Sequence, residues 1–285
     1  LRQEVPQAVW AIIGGSSTNS ISFPADLCNT QIEIIDSEMV FPTPYGESPP
    51  FVYFKVKGIP VLTCAMHGWR SGVSRARASL QVFWVLKEAG VKRILGEGGV
   101  GALNHLLRPR DIVVPRDYVD LSLRRDVSLG LPYLLIMRDP ICPVLHRFLV
   151  QAAEERPLGR VFDRGIYVVT DGRHFESRAE VALLYQRLGD IVGQSLCPEV
   201  YLAREIGACY AGLYIVVNYA EGVVEDWNYS ELKDIFYNLA VHLGGLLIAA
   251  LLKAEEEGAF NCSCAVLRKP TLLKGFGGAT NGSEP

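Results

Sequence analysis

Residues 193–222, GQSLCPEVYLAREIGACYAGLYIVVNYAEG, read as a loop, a helix, a buried strand and a polar tip. Pro198 suits the first turn of a helix and Gly207 suits its end. The apolar run 211–217 is then short enough for a strand, and it stops at Asn218. In an open α/β sheet, ligands bind beyond the carboxyl ends of the strands. Asn218 and the loop carrying Gln194 and Ser195 are therefore expected to converge on one small molecule, although Asn218 taken alone reads equally as an ordinary turn residue.

Working outward, the same pattern of a strand followed by a polar tip recurs. Residues 8–13 run into Gly14, Gly15, Ser16 and Ser17, small enough to bring backbone amides and hydroxyls close to an anion. Residues 60–65 deliver Met66, His67 and Gly68. Residues 164–169 lead to Thr170, Asp171, Gly172, Arg173, His174, Phe175 and Glu176, ahead of a helix over 177–188. A strand beginning at 92–95 is followed by GEGGVGAL. Its glycines fit the spacing G-x-G-x-x-G, but Pro109 stops the chain soon after and 111–115 is already the next strand, so the long helix of a dinucleotide site is missing. What remains is that Gly98 and Gly99 let backbone approach a ligand or another strand.

The other segments fill in an α/β order. Residues 31–35 and 51–56 suggest a hairpin-like pair with an irregular, proline-rich connection. Helices are expected over 80–89, 143–155 and 230–252, the last capped by Ser230. Residues 116–137 read as loop-rich and 270–285 as a flexible tail. There is no internal repeat or linker, so residues 1–285 are expected to form a single α/β domain.

The chain has 285 residues, 49% hydrophobic and 21% charged, with a net charge of -3. That balance argues against nucleic acid or an anionic membrane as partner, and leaves Arg124 with Arg125, and Arg75 with Arg77, as solvated or local anion contacts. The apolar run 239–252 contains His242 and is shorter than a membrane span. No secretion signal is evident at the start, so a cytoplasmic location is the default expectation. Most of the seven cysteines read as core residues; Cys262 and Cys264 could form a small strained ring, bind metal or stay reduced. The five histidines lack metal-ligand spacing and no second Cys or His pair completes a tetrahedral site, so no metal is expected.

Taken in order, GGSS, MHGW, GEGGVGALNHLLRPRDIVVPRDYVDL, GRHFESRAE, GQSLCPEVYLAREIGACYA and VVNYAEG resemble the purine nucleoside phosphorylase and 5'-methylthioadenosine phosphorylase family over nearly the whole chain. The resemblance implies a mixed central sheet with a distorted barrel, flanked by helices, and a homotrimer or homohexamer. It implies cleavage of a purine nucleoside by inorganic phosphate as co-substrate, with no cofactor. By position it gives Ser16, His67, Gly99 and Ser195 to phosphate, Phe175, Glu176 and Asn218 to the base, and Gln194 to the ribose, with Asn218 and His67 as the catalytic pair. The 5' group is expected to meet residues 223–229 and a neighbouring subunit. The late Cys-Ser-Cys is similar to C-x-C pairs of some heat-stable members, which adds weight to a disulfide.

An ionised Glu176 needs a proton donor on the base, which the N1–H of a 6-oxopurine provides and neutral adenine does not. Inosine, guanosine or 5'-methylthioinosine are therefore favoured, as is suggested too by Asn218 and Ala220, where methylthioadenosine enzymes carry Asp. Met66 stands where those enzymes have a phosphate-gripping arginine, and Gly98 replaces a hydroxyl or amide side chain; Arg70 or Arg75 lies near enough in sequence to compensate. These departures keep two alternatives open: a phosphate-independent nucleosidase, and a non-catalytic protein that binds purine nucleosides.

Overall fold

The structure, a computed structural model, describes residues 4–272 apart from 173, 187 and 225. Strand β1 (Trp10–Ile13) is buried at every position, as a strand covered on both faces must be. β2 (Ile32–Met39) and β3 (Phe51–Val56) pair antiparallel with two register irregularities, as the β-favouring stretches implied. β4 (Ile59–Cys64) returns along β3 and lies parallel to β1. Helix α1 (Arg75–Glu88) starts well before residue 80, because Ser74 caps it by accepting the Arg77 N–H.

β5 (Arg93–Ala102) is longer than expected. Its glycines do not end the strand but lie inside it, paired along their length with β11 (below). An added Cβ at Gly96 would run into the Tyr210 phenol, so close approach of a neighbouring strand is what that glycine permits. Then come β6 (Ile112–Val113), β7 (Asp117–Asp120), α2 (Pro143–Glu155), β8 (Val161–Phe162), β9 (Ile166–Val169), α3 (Arg178–Gln186), β10 (Ile191–Gly193), α4 (Leu196–Glu205) and β11 (Cys209–Tyr219).

These eleven strands form one mixed sheet in the order β8-β6-β11-β5-β1-β4-β3-β2, with β10, β9 and β7 attached as a branch. The branch arises at β5: residues 93–96 pair with β1, while Gly101 and Ala102 pair antiparallel with β10. This fork is the distortion of the central sheet. Helices cover it, and the core is one large apolar cluster with a smaller one around Leu103, Val168 and Leu184. Each fully buried Leu, Ile or Val side chain there contributes about 1.5–3 kcal/mol.

Two expectations are corrected. The helix over 230–252 is two helices, α5 (Tyr229–Asn238) and α6 (Ala240–Glu257), bent by 51° at their junction. α5 buries only Ile235 whereas α6 is buried along one whole side, so the chain turns to bring the second helix into the core. The cap is Asn228, whose side-chain oxygen accepts the Ser230 N–H at 2.9 Å. The loop-rich segment 116–137 contains β7 and a short strand, Tyr133–Leu135, paired with Arg268–Pro270. That pairing ties down the start of the expected tail; residues 273–285 of it lie outside the described residues. No single helix among the described residues is long and apolar enough to cross a membrane.

Candidate active site

One cleft is lined by all eight candidate residues: Ser16, His67, Gly99, Phe175, Glu176, Gln194, Ser195 and Asn218. The loop after β1 is fastened from behind by Glu97, a buried carboxylate of β5 that sequence reasoning missed. Glu97 accepts from the amides of Gly15, Ser17 and Thr18 and, at 2.7 Å, from the Thr18 hydroxyl. The Gly15, Ser17 and Thr18 amides are therefore turned to Glu97 rather than to the cleft. The Gly99 N–H is in use as well, donating to Ser16 Oγ at 2.9 Å. Having accepted that bond, the Ser16 hydroxyl keeps its own proton for a ligand.

His67 follows β4 in a left-handed conformation, φ 55° and ψ 21°, and is buried. Its Nδ1 lies 2.6 Å from Glu199 Oε1, and Glu199 Oε2 accepts the Tyr210 hydroxyl at 2.8 Å. The carboxylate thus holds the proton on Nδ1 and fixes the ring, while burial pushes the Tyr210 pKa up and keeps that phenol a donor. Only a glycine at 15 leaves room for the Nε2 edge of the ring. Ser195 is prepared in the same way. Its amide donates to the Tyr167 hydroxyl at 3.4 Å, and its Oγ lies 3.1 Å from that hydroxyl. Burial pushes Tyr167 up to about 12, so the phenol stays protonated and shares a hydrogen bond with Ser195 Oγ.

The two arginine expectations resolve differently. Arg70 turns away, bonding the Gly68 and Glu47 carbonyls and Gln81 Oε1. Arg75, at the start of α1, lines the cleft together with Met66, stacks 4.1 Å over Trp69, and donates to Gln194 Oε1 at 2.5 Å and the Asp171 carbonyl at 3.0 Å. Arg124 takes the second of its two expected readings, a local anion contact: it is 6% exposed, pairs with Asp171 at 2.8 Å and donates to the Gln194 carbonyl. Together Arg75 and Arg124 fix the loop that carries Gln194 and Ser195.

At the other end, Phe175 precedes α3 and rests edge-on against Trp227, with ring centroids 5.8 Å apart; it is 53% exposed. Glu176 accepts the Thr170 hydroxyl on Oε1 at 2.6 Å. Asn218 is 4% exposed and sits just after an irregularity of register between β11 and β5, at Val216/Asn218. This bulge re-aims the side chain. One N–H of Asn218 bonds the Tyr219 carbonyl at 2.7 Å, leaving its second N–H and its oxygen. Ala220 and Glu221 complete the wall.

The supporting residues Glu97, Glu199, Tyr167 and Tyr210 carried no local signal, since each acts on a partner far away in sequence. A second correction concerns the cysteines: Cys142 and Cys209 lie beside Cys262 and Cys264, so the late pair is not isolated.

Over residues 11–253 the chain matches the family described as Phosphorylase superfamily. The S-methyl-5'-thioadenosine phosphorylase of Pyrococcus abyssi is 30% identical over 267 residues, 92% of this chain and 98% of that one. A protein of Dictyoglomus turgidum named probable 6-oxopurine nucleoside phosphorylase is 32% identical over 275 residues, 93% of this chain and 98% of that one. A crystal structure of a methylthioadenosine phosphorylase from an antarctic soil metagenomic library superposes with a TM-score of 0.75 at 24% identity, covering 96% of each chain, a likeness of fold. Sequence match, relatives and fold agree that the chain belongs to the purine nucleoside and methylthioadenosine phosphorylases of the phosphorylase superfamily.

Proposed function

We infer that this protein cleaves a purine nucleoside with inorganic phosphate, releasing the base and a pentose 1-phosphate, and that it favours 6-oxopurines. The observation that carries this reading is the division of one cleft. The Ser195 hydroxyl lies beside Gly98 and the Ser16 hydroxyl beside Gly99, with His67 in the same cleft beside Gly15; opposite Gly101 stands Asn218. Three residues of strand separate Gly98 from Gly101, roughly 10 Å, the scale of a nucleoside.

Breaking the glycosidic bond builds positive charge on the sugar and negative charge on the departing base. Phosphate held by Ser16, His67 and Ser195 faces the first, with Arg75 supplying the cationic character that Met66 lacks. Asn218 meets the second, accepting from a protonated N7 and donating to the 6-oxo group. Glu176 accepts the N1 proton, Phe175 packs on the ring and Gln194 lies toward the ribose. The working assembly is a homotrimer or homohexamer in which a neighbour closes the sugar end beside residues 223–229.

A phosphate-independent nucleosidase is the second reading, favoured by the apolar Met66 and by Gly98, which brings no side chain to the anion end. The test is release of hypoxanthine from inosine and 5'-methylthioinosine with and without phosphate, against adenosine and methylthioadenosine. Phosphate-dependent release from the 6-oxo pair is expected. Release at an equal rate without phosphate would replace the phosphorylase by a hydrolase, and no turnover of any of the four would sink both.

A further inference from the structure

Gln194 lines the cleft with one end of its side chain already taken. Its Oε1 accepts from Arg75 Nη1 at 2.5 Å. A guanidinium has donors only, so the hydrogen-bond network gives the amide a single sense, oxygen toward Arg75 and –NH2 away from it. Arg75 is itself held, donating to the Asp171 carbonyl at 3.0 Å and lying 4.1 Å over the Trp69 ring. The backbone under the side chain is fixed as well, because the Gln194 carbonyl accepts from the buried Arg124 at 2.8 Å. Gln194 Nε2 passes over Gly172, where an added Cβ would stand 3.4 Å away, and among the described residues it has no acceptor. The cleft therefore receives from Gln194 a rigid N–H donor and no acceptor.

The chemistry of a nucleoside says what such a donor meets. In a β-nucleoside the base stands on one face of the pentose, and the 2'- and 3'-hydroxyls stand on the other. A nucleophile that displaces the base reaches C1' from the face opposite the base, which is the hydroxyl face. Gln194 immediately precedes Ser195, whose hydroxyl belongs to the anion end beside Gly98, so its side chain lies on the nucleophile's side of the sugar. On that face the hydroxyl next to C1' is the 2'. Its oxygen accepts what the amide donates, whereas the CH2 of a 2'-deoxyribose accepts nothing.

We propose that Gln194, set in one orientation by Arg75, donates Nε2–H to the 2'-hydroxyl oxygen and makes the protein selective for ribonucleosides over 2'-deoxyribonucleosides. The selectivity rests on the reading of the cleft as a purine nucleoside site. Its direction runs against intrinsic reactivity. A 2'-hydroxyl withdraws electrons and opposes positive charge on the sugar, so the glycosidic bond of a 2'-deoxynucleoside breaks more readily when nothing assists it. A preference for the ribonucleoside has to be supplied by the site, and a site built to bond a hydroxyl rejects the analogue without it because its donor is left unpaired.

The test compares inosine, 2'-deoxyinosine and 3'-deoxyinosine on the full chain, in kcat/KM with phosphate and in Kd by calorimetry without it. The unmutated protein is expected to favour inosine over 2'-deoxyinosine about 10–100-fold in both measures. In Gln194→Met, which fills the space without a donor, the kcat/KM ratio is expected to fall to within about threefold. Gln194→Glu, which keeps a partner for Arg75 but brings no N–H, should do the same, and so separates the donor from the packing of the loop. Equal use of the two nucleosides by the unmutated chain, or a preference retained in a folded Gln194→Met variant, would overturn the proposal. A preference that follows the 3'-hydroxyl instead would overturn the 2' assignment. Tighter binding of inosine than of 2'-deoxyinosine without any turnover would sink phosphorolysis and support the sugar contact, and no binding of any of the three would overturn both.

Discussion

Where Ser16, His67 and Ser195 meet, each ligand-facing group has a partner behind it: the Gly99 amide, the Glu199 carboxylate and the Tyr167 phenol. Where Phe175 and Glu176 meet Asn218, the support is thinner. Phe175 is half exposed and leans on another rim residue, Trp227, and Glu176 has the single Thr170 hydroxyl. The proposed anion end is therefore preorganised by the core, which fixes its side chains before any ligand arrives. The proposed base end relies on one strand residue, Asn218, and on a segment between β9 and α3. The contrast puts the firmer support around Ser16, His67 and Ser195, in the part of the cleft that Met66 also lines.

That contrast is open to direct attack, and the largest effect is expected at Asn218. Asn218→Ala should lower kcat/KM for inosine about 10²–10³-fold while the KM for phosphate moves by less than about twofold. Bisubstrate steady-state kinetics measure both, and equal changes in the two would show that the ends do not act separately. Glu199→Gln, which loosens His67 without touching substrate, should cost about 10–100-fold in phosphate-dependent kcat/KM, the worth of one charge-assisted hydrogen bond. Inosine binding without phosphate, followed by calorimetry, should survive that change.

Arg75→Met sharpens the role given to the guanidinium. The KM for phosphate is expected to rise about 3–10-fold with the KM for inosine nearly constant; a rise in inosine KM alone would place Arg75 on the sugar side through Gln194. The smallest effect is expected from Phe175→Ala, about 2–10-fold in inosine KM, the range of one aromatic stacking contact. Because the ring is 53% exposed, thermal unfolding should shift by no more than about 1 °C.

Much of this molecule was legible in order along the chain. Strands that stop at polar residues announced the cleft, and all eight candidate residues line it, because a strand end fixes a side chain's address within a sheet. The hidden part was whatever depends on pairing across the fold. Glu97, between glycines, reads as part of a loop, yet it holds the turn after β1. Glu199 lies on a helix 132 residues from His67, and the anion that Arg124 meets, Asp171, is 47 residues away in sequence. Cys142 and Cys209 look like ordinary core thiols for the same reason. The junction of α5 and α6 was masked because residues with helical spacing continue through it, and only the difference in burial on either side bends the chain.

Strand β5 is bonded to β11 along its length and to β1 and β10 at its two ends, and it carries both ends of the cleft. Such a strand cannot part to admit a substrate. Traffic is left to the rim, where Phe175 and Trp227 stand, so breathing there sets how fast nucleoside enters and base leaves. Backbone amides of β5 should exchange with deuterium only when the whole protein unfolds, whether or not the cleft is filled, whereas those of residues 174–177 should exchange readily and slow when nucleoside binds.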